Sequence, residues 1–207
     1  FDESSTEKAI AYAKIYAGTN YSPAMETVLK VAFSEKRNLP TFRLKSSDTI
    51  LLSGYMKKWV GAYLAGYNNR PSVRTGNCSG THPDPMAKTI LRARIPGLEN
   101  NLADKIVAGH SLLMTIENNI GELLEEYLAV KLSPLGWYCC WGSTIDAVDF
   151  CKADGSLLQI KTSDNSENSS SSRVRQGTPI EKWFRRFSRR PGAVSYTHLT
   201  LPTSDLV

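Results

Sequence analysis

Apolar residues fall three and four positions apart through most of the first two-thirds of the chain. The spacing predicts helices over Ala9–Tyr16, Ala24–Phe33, Leu51–Tyr67, Met86–Arg94 and Ala103–Ile116. Clusters of Gly, Pro, Asn and Ser place loops near Asn38–Pro40 and Asn68–Pro85. A further helix is expected where Ile120, Leu123, Leu124, Tyr127 and Leu128 define one apolar face. Pro134 stops it, and Gly136 begins the path into a strand over Trp137–Trp141.

The periodicity then changes to two. Val148–Lys152 and Ser156–Lys161 alternate apolar and polar residues around Ala153-Asp154-Gly155, which reads as a β-hairpin with a three-residue turn. Centring that turn on Asp154 pairs Lys152 with Ser156, Cys151 with Leu157, Phe150 with Leu158 and Asp149 with Gln159. Lys161 lies two residues beyond Gln159 and shares its face, while Val148, Phe150, Leu158 and Ile160 form the opposite, core-facing side. A one-residue slip would scatter the polar group.

These residue types carry a definite chemistry. A hard divalent cation such as Mg²⁺ takes oxygen ligands, and Asp149 supplies an anionic one and Gln159 a neutral amide oxygen. Lys161 is placed to orient a water or to stabilise charge developing on phosphorus. Asp146, three residues upstream, is the rival for the aspartate role. The spacing alone is loose, and a solvated hairpin with ordinary surface polar residues fits it too.

The longer words are more specific. Asp149…Gln159-Ile160-Lys161 resembles the PD-(D/E)XK nuclease signature, with Gln in the acid slot and Val148 where that signature has Pro. IGELLEEYLAVKLSPLGW (120–137), VDF (148–150) and LQIKTSDNSENSSSSRVRQGTPIEKWFRRFS (158–188) resemble the SinI family of type II restriction endonucleases, strongly over the second half of the chain. The resemblance implies an α/β fold, a mixed sheet flanked by helices, behind a mainly helical N-terminal portion. It implies Mg²⁺-dependent double-strand cleavage of double-stranded DNA at GGWCC, where W is A or T. Two cut strands imply a homodimer about the DNA dyad, and a host with such an enzyme needs a cognate DNA methyltransferase. In that fold a glutamate on the preceding helix reaches the metal. Among Glu122, Glu125 and Glu126, Glu125 and Glu126 border the two edges of the apolar face while Glu122 points nearly away, and Glu125 is preferred. Asp149, Gln159 and Glu125 are thus the expected metal ligands, and these three with Lys161 the catalytic group.

Beyond the hairpin the chain turns basic. Thr178-Pro179-Ile180-Glu181 has the form of a capping box, so a helix is expected to start there and to continue through KWFRRFSRR. Lys182, Arg185 and Arg186 would touch phosphates from it. Arg173 to Arg190 carries seven Lys/Arg against one Glu, so the chain's formal net charge of +5 is concentrated here. Asn165 and Asn168 border a Ser-rich run and, within the resemblance, line the DNA groove. Arg173 and Arg175 are candidates for reading G·C pairs.

At 207 residues the chain is long enough to bury a real core. The expected organisation is a helical portion (1–117), a nuclease core (118–192) and a run (193–207) resembling translated sequencing-adapter DNA, with the natural chain expected to continue differently after Gly192. The start at Phe1 rather than Met reads as a missing N-terminus. No run is apolar enough for a membrane span, and no signal peptide is visible. Cys78, Cys139, Cys140 and Cys151 lack CxxC spacing and fit a reducing cytoplasm, the latter three as small apolar strand residues. Tyr55, Lys57, Lys58, Trp59 and Tyr63 read as an amphipathic packing helix. Two other readings stay open: a junction-resolving or repair nuclease with the same core, and a non-catalytic DNA-binding module.

Overall fold

A computed structural model describes residues 3–42, 51–73, 84–163 and 180–186. Five helices come first: α1 (Glu3–Ala17), α2 (Pro23–Ser34), α3 (Leu52–Asn68), α4 (Pro85–Arg94) and α5 (Asn100–Leu132). Two begin with a side-chain cap. Ser22 accepts a hydrogen bond from the Met25 N–H at 3.2 Å, and Asp84 accepts one from the Met86 N–H at 2.8 Å, each followed by Pro at the first helical position. The two helices expected on either side of residue 117 are one continuous helix, α5, and neither a Pro nor a capping sequence interrupts it.

Four strands form one sheet in the order β1-β2-β3-β4: β1 (Trp137–Cys139), β2 (Phe150–Lys152), β3 (Leu157–Ser163) and β4 (Ile180–Arg186). The first two pairings are antiparallel and β3–β4 is parallel. The β2–β3 turn matches expectation. Lys152 N–H donates to Ser156 O at 2.9 Å, and Gly155 takes φ +89°. Cys151 faces Leu157 and Phe150 faces Leu158.

The expected helix after Thr178 is instead β4 over its described part. Alternation explains this. Ile180 joins one core and Trp183 the other, so both faces of the segment are used with a period of two. Ile, Trp and Phe also suit a pleated surface. Parallel pairing needs a crossover of a dozen or more residues, and the 16 positions between β3 and β4 satisfy that.

The sheet lies between two layers of helix. On one face, Cys151, Leu157 and Ile180 join a core with α1, α2 and α3 that includes Ala9, Ala13, Met25, Leu29, Met56 and Trp59. On the other, Trp137, Cys139, Phe150, Leu158, Ile160 and Trp183 pack with Leu128 and Leu132 of α5. This is the mixed α/β architecture with helices flanking the sheet. Ile120, Leu123 and Tyr127, expected on the packed face of their helix, are exposed; Leu124 and Leu128 do the packing. Among the described residues no helix is long and apolar enough to cross a membrane.

The β1–β2 loop is tied to the N-terminal helices. The buried Trp59 indole donates to Thr144 O at 2.9 Å, and Asp146 N–H donates to Asn38 O at 2.9 Å. Gly142 passes so close to α3 that an added Cβ would stand 2.0 Å from Ala62 O. Ser143 and Ala147 adopt positive φ, at 55° and 59°. The loop therefore enters β2 along a constrained path.

Candidate active site

β2 begins at Phe150, while β3 runs on to Ser163. The sheet thus has an open rim where β3 outlasts β2, and Asp149 sits at that rim. Its backbone N–H donates to Leu158 O at 3.0 Å, and its Oδ2 accepts from the Ile160 N–H at 2.6 Å. The simple Asp149–Gln159 cross-strand pair expected from the hairpin is replaced by a clamp on the peptide units either side of Gln159. A side-chain oxygen stands in for the next ladder carbonyl, so the carboxylate is held at the strand edge.

Three charges meet here. Burial pushes the Asp149 carboxyl up, and the Ile160 N–H and Lys161 pull it back. Glu125, from α5, is lifted to about 8, first by burial, next by the negative charge of Asp149 and then by Glu122; Lys161 opposes all three. The same surroundings, burial first and then Glu125 and Asp149, raise the Cys139 thiol well above its usual range.

Gln159 is buried at 5% exposure, and its Oε1 has no hydrogen-bond partner among the described residues. An unsatisfied buried acceptor is costly and calls for a donor or a cation. By strand alternation Gln159 and Lys161 share the Leu157 face, opposite α5. Glu125 therefore reaches Asp149 from one side of the sheet, with Gln159 on the other. Among the described residues no group of three or more His, Cys, Asp or Glu is arranged to hold a metal. The oxygen donors present are two carboxylates and an amide. Mutual repulsion of the two acids fits a hard cation between them, and the orphaned amide oxygen offers a neutral donor on the opposite face.

The competing residues go elsewhere. Asp146 is exposed. Glu126 binds the Ser72 N–H at 2.9 Å and the Ser72 hydroxyl, and pairs with Arg70 at 3.3 Å, so it fastens α5 to the turn after α3.

Of the expected DNA contacts, Asn165, Asn168, Arg173 and Arg175 lie outside the described residues. Lys182 and Arg185 lie on β4, with Lys182 exposed and beside Gln159 in the parallel register, and Arg186 beside Ser163. The Arg185 Nε and Trp183 Nε1 donors are buried with no partner among the described residues. Trp59 and Gly142 were not singled out as site residues. Both hold the loop that delivers Asp149, and their only sequence signal was an aromatic on an apolar helix face and a Gly after a strand.

A mixed four-stranded sheet flanked by helices, with two acids and a lysine gathered at one hairpin rim, defines an α/β protein of a form compatible with restriction endonucleases. The family model described as SinI restriction endonuclease matches residues 48–205, and the chain belongs to that family. It is 47% identical over 115 residues to the type II restriction enzyme SinI of Salmonella infantis, covering 53% of this chain and 50% of that protein. It is 45% identical over 115 residues to the type II restriction enzyme Eco47I of Escherichia coli, with the same coverage. The chain spans about half the length of the curated relatives it matches.

Proposed function

We propose that this chain carries the catalytic hairpin of a type II restriction endonuclease of the PD-(D/E)XK kind, a site-specific deoxyribonuclease that cuts both strands of DNA at a short site, GGWCC, with Mg²⁺. Family membership supports the reaction class. The observation that carries the site is the Asp149 carboxylate, fixed by the Ile160 N–H beside Glu125 and Lys161. The target sequence rests on the resemblance of 120–137, 148–150 and 158–188 alone.

Asp149 is the principal metal ligand in this reading and Glu125 its helix-borne partner; Gln159, expected as the neutral second ligand, lies on the other face of the sheet and would reach the cation only around the open rim. Bound there, the cation would polarise the scissile phosphate and lower the pKa of a water. Glu125 must first release its proton, which ties cation affinity to pH. Lys161 orients the attacking water and balances the charge that develops on phosphorus. Lys182, Arg185 and Arg186 meet phosphates from β4 rather than from a helix. Asn165, Asn168, Arg173 and Arg175 keep their proposed place at the bases. Cleavage of two strands about a dyad calls for two copies of the site, hence a homodimer, and for a protecting methyltransferase in the host.

The test is to incubate the full chain with plasmid DNA and Mg²⁺ and sequence the ends. Discrete ends at GGWCC support the reading. Cutting of branched DNA alone supports a junction-resolving nuclease, and retardation without cutting supports a binding module; either outcome overturns it.

A further inference from the structure

The outer face of α5 repeats with its own period. Leu102, Ile106, Gly109, Leu113, Ile116, Ile120, Leu123, Tyr127 and Val130 follow one another at alternating steps of four and three. That is a heptad seam sustained over four repeats, with no charged residue in it. Its eight large members are all exposed, from 38% for Ile120 and Tyr127 to 70% for Val130. Other sides of α5 are engaged toward its two ends. Leu124, Leu128 and Leu132 face the sheet, Asp104 pairs with Lys88 of α4 at 2.7 Å, and Glu126 holds Arg70 and Ser72.

We propose that this seam is an interface between two copies of the chain, α5 against α5, running antiparallel. The spacing itself describes the occupant, because a 3-4 seam is filled by a helix with the same repeat. Among the described helices α5 alone presents one of this length, and it is self-complementary across a two-fold axis. The area agrees. The eight side chains expose roughly 800 Å² together, about what one partner contributes to a standard stable interface and above the largest patch of a typical monomer.

Gly109 sets the direction. A Cβ there would meet nothing within 4 Å, so it is a gap in the seam. Parallel pairing would set Gly109 against its own copy and leave a hole, which close-packed interfaces avoid. Antiparallel pairing places positions of one kind in the heptad against the other, so that the gap receives Ile120 or Tyr127 of the second copy.

This deepens the two-site reading above by naming the surface that joins the copies. Its test reads assembly and not cleavage, so failure of either leaves the other standing. Sedimentation of the full chain at tens of micromolar should give a dimer. Leu113→Glu with Ile116→Glu should give a monomer with unchanged helical circular dichroism, since both positions are exposed. Leu123→Gln, a milder change, should weaken the dimer by about tenfold or more. Ile116→Cys, near the axis, should cross-link with a short bismaleimide above the wild-type background, and Leu102→Cys, near a far end, should not. A monomeric wild type, a dimer indifferent to the seam substitutions, or equal cross-linking at both positions overturns the proposal. Protection of the seam cysteines in a monomer would show that other parts of the chain cover this face, and would overturn it too.

Discussion

The Asp149 Oδ2 accepts the Ile160 N–H at 2.6 Å, in the place where a strand would offer its next carbonyl. One side chain thereby ends the β2–β3 ladder and holds its own carboxylate at the rim, between the acid of α5 and the ammonium of β3. The hydrogen bond and Lys161 favour the charged form, and burial disfavours it. A carboxylate balanced in this way is prepared for a cation. Metal binding would stabilise both acids where the apo protein leaves them in conflict.

Among the described residues, Lys161 is the cation that offsets both acids. Lys161→Ala should slow DNA cleavage by about 10²–10³-fold, the usual cost of removing one group that stabilises developing charge. Duplex affinity in gel retardation should change little. Cleavage at the wild-type rate would remove Lys161 from the chemistry.

Glu125 links the site to pH. Its ordinary value is 4.5, and in the fold it is about 8. Between those values the folded protein keeps a proton that the unfolded chain has released. The associated stability is fully present below about pH 4.5 and is lost as pH rises through 8. Glu125→Gln removes that loss. In EDTA it should stabilise the protein at pH 8.5, on the order of 2 kcal/mol, and do almost nothing at pH 4. Thermal melts at the two pH values check this; an equal effect at both would mean the side chain acts through packing alone.

Gly142 is needed for approach as well as for conformation. Its φ is +69°, and a methyl there would collide with Ala62 O. Gly142→Ala should cost about 3 kcal/mol in denaturant unfolding and also reduce cleavage, because the loop it anchors leads into Asp149. Gly61→Ala is the control. That helical glycine has open space around it, so alanine should stabilise by about 0.5–1 kcal/mol.

The helices and the hairpin were legible because each repeats a simple period. Ser22-Pro23 and Asp84-Pro85, where α2 and α4 start, carry a further signal that apolar spacing alone leaves unused. The hairpin register held from Lys152–Ser156 to Phe150–Leu158, where turn chemistry governs it. It departed at Asp149, where a side chain competes with the backbone for the ladder, and no periodicity reports that. β4 was misread because Thr178-Pro179-Ile180-Glu181 has a helix-starting form, while a vacant place beside β3 rewards extension. The expected apolar face of α5 merges two: Leu124 and Leu128 pack on the sheet, while Ile120, Leu123 and Tyr127 belong to the exposed seam. Helical spacing shows that a face is apolar and is silent on which neighbour covers it.

The central claim is that Asp149 holds the cation on which cleavage depends. Asp149→Asn tests it most directly, because an amide oxygen can still accept the Ile160 N–H and so preserve the fold. Cleavage of plasmid by the full-chain variant in Mg²⁺ should fall by more than about 100-fold, with unchanged thermal stability and retained DNA retardation. Cutting at the wild-type rate would contradict the account.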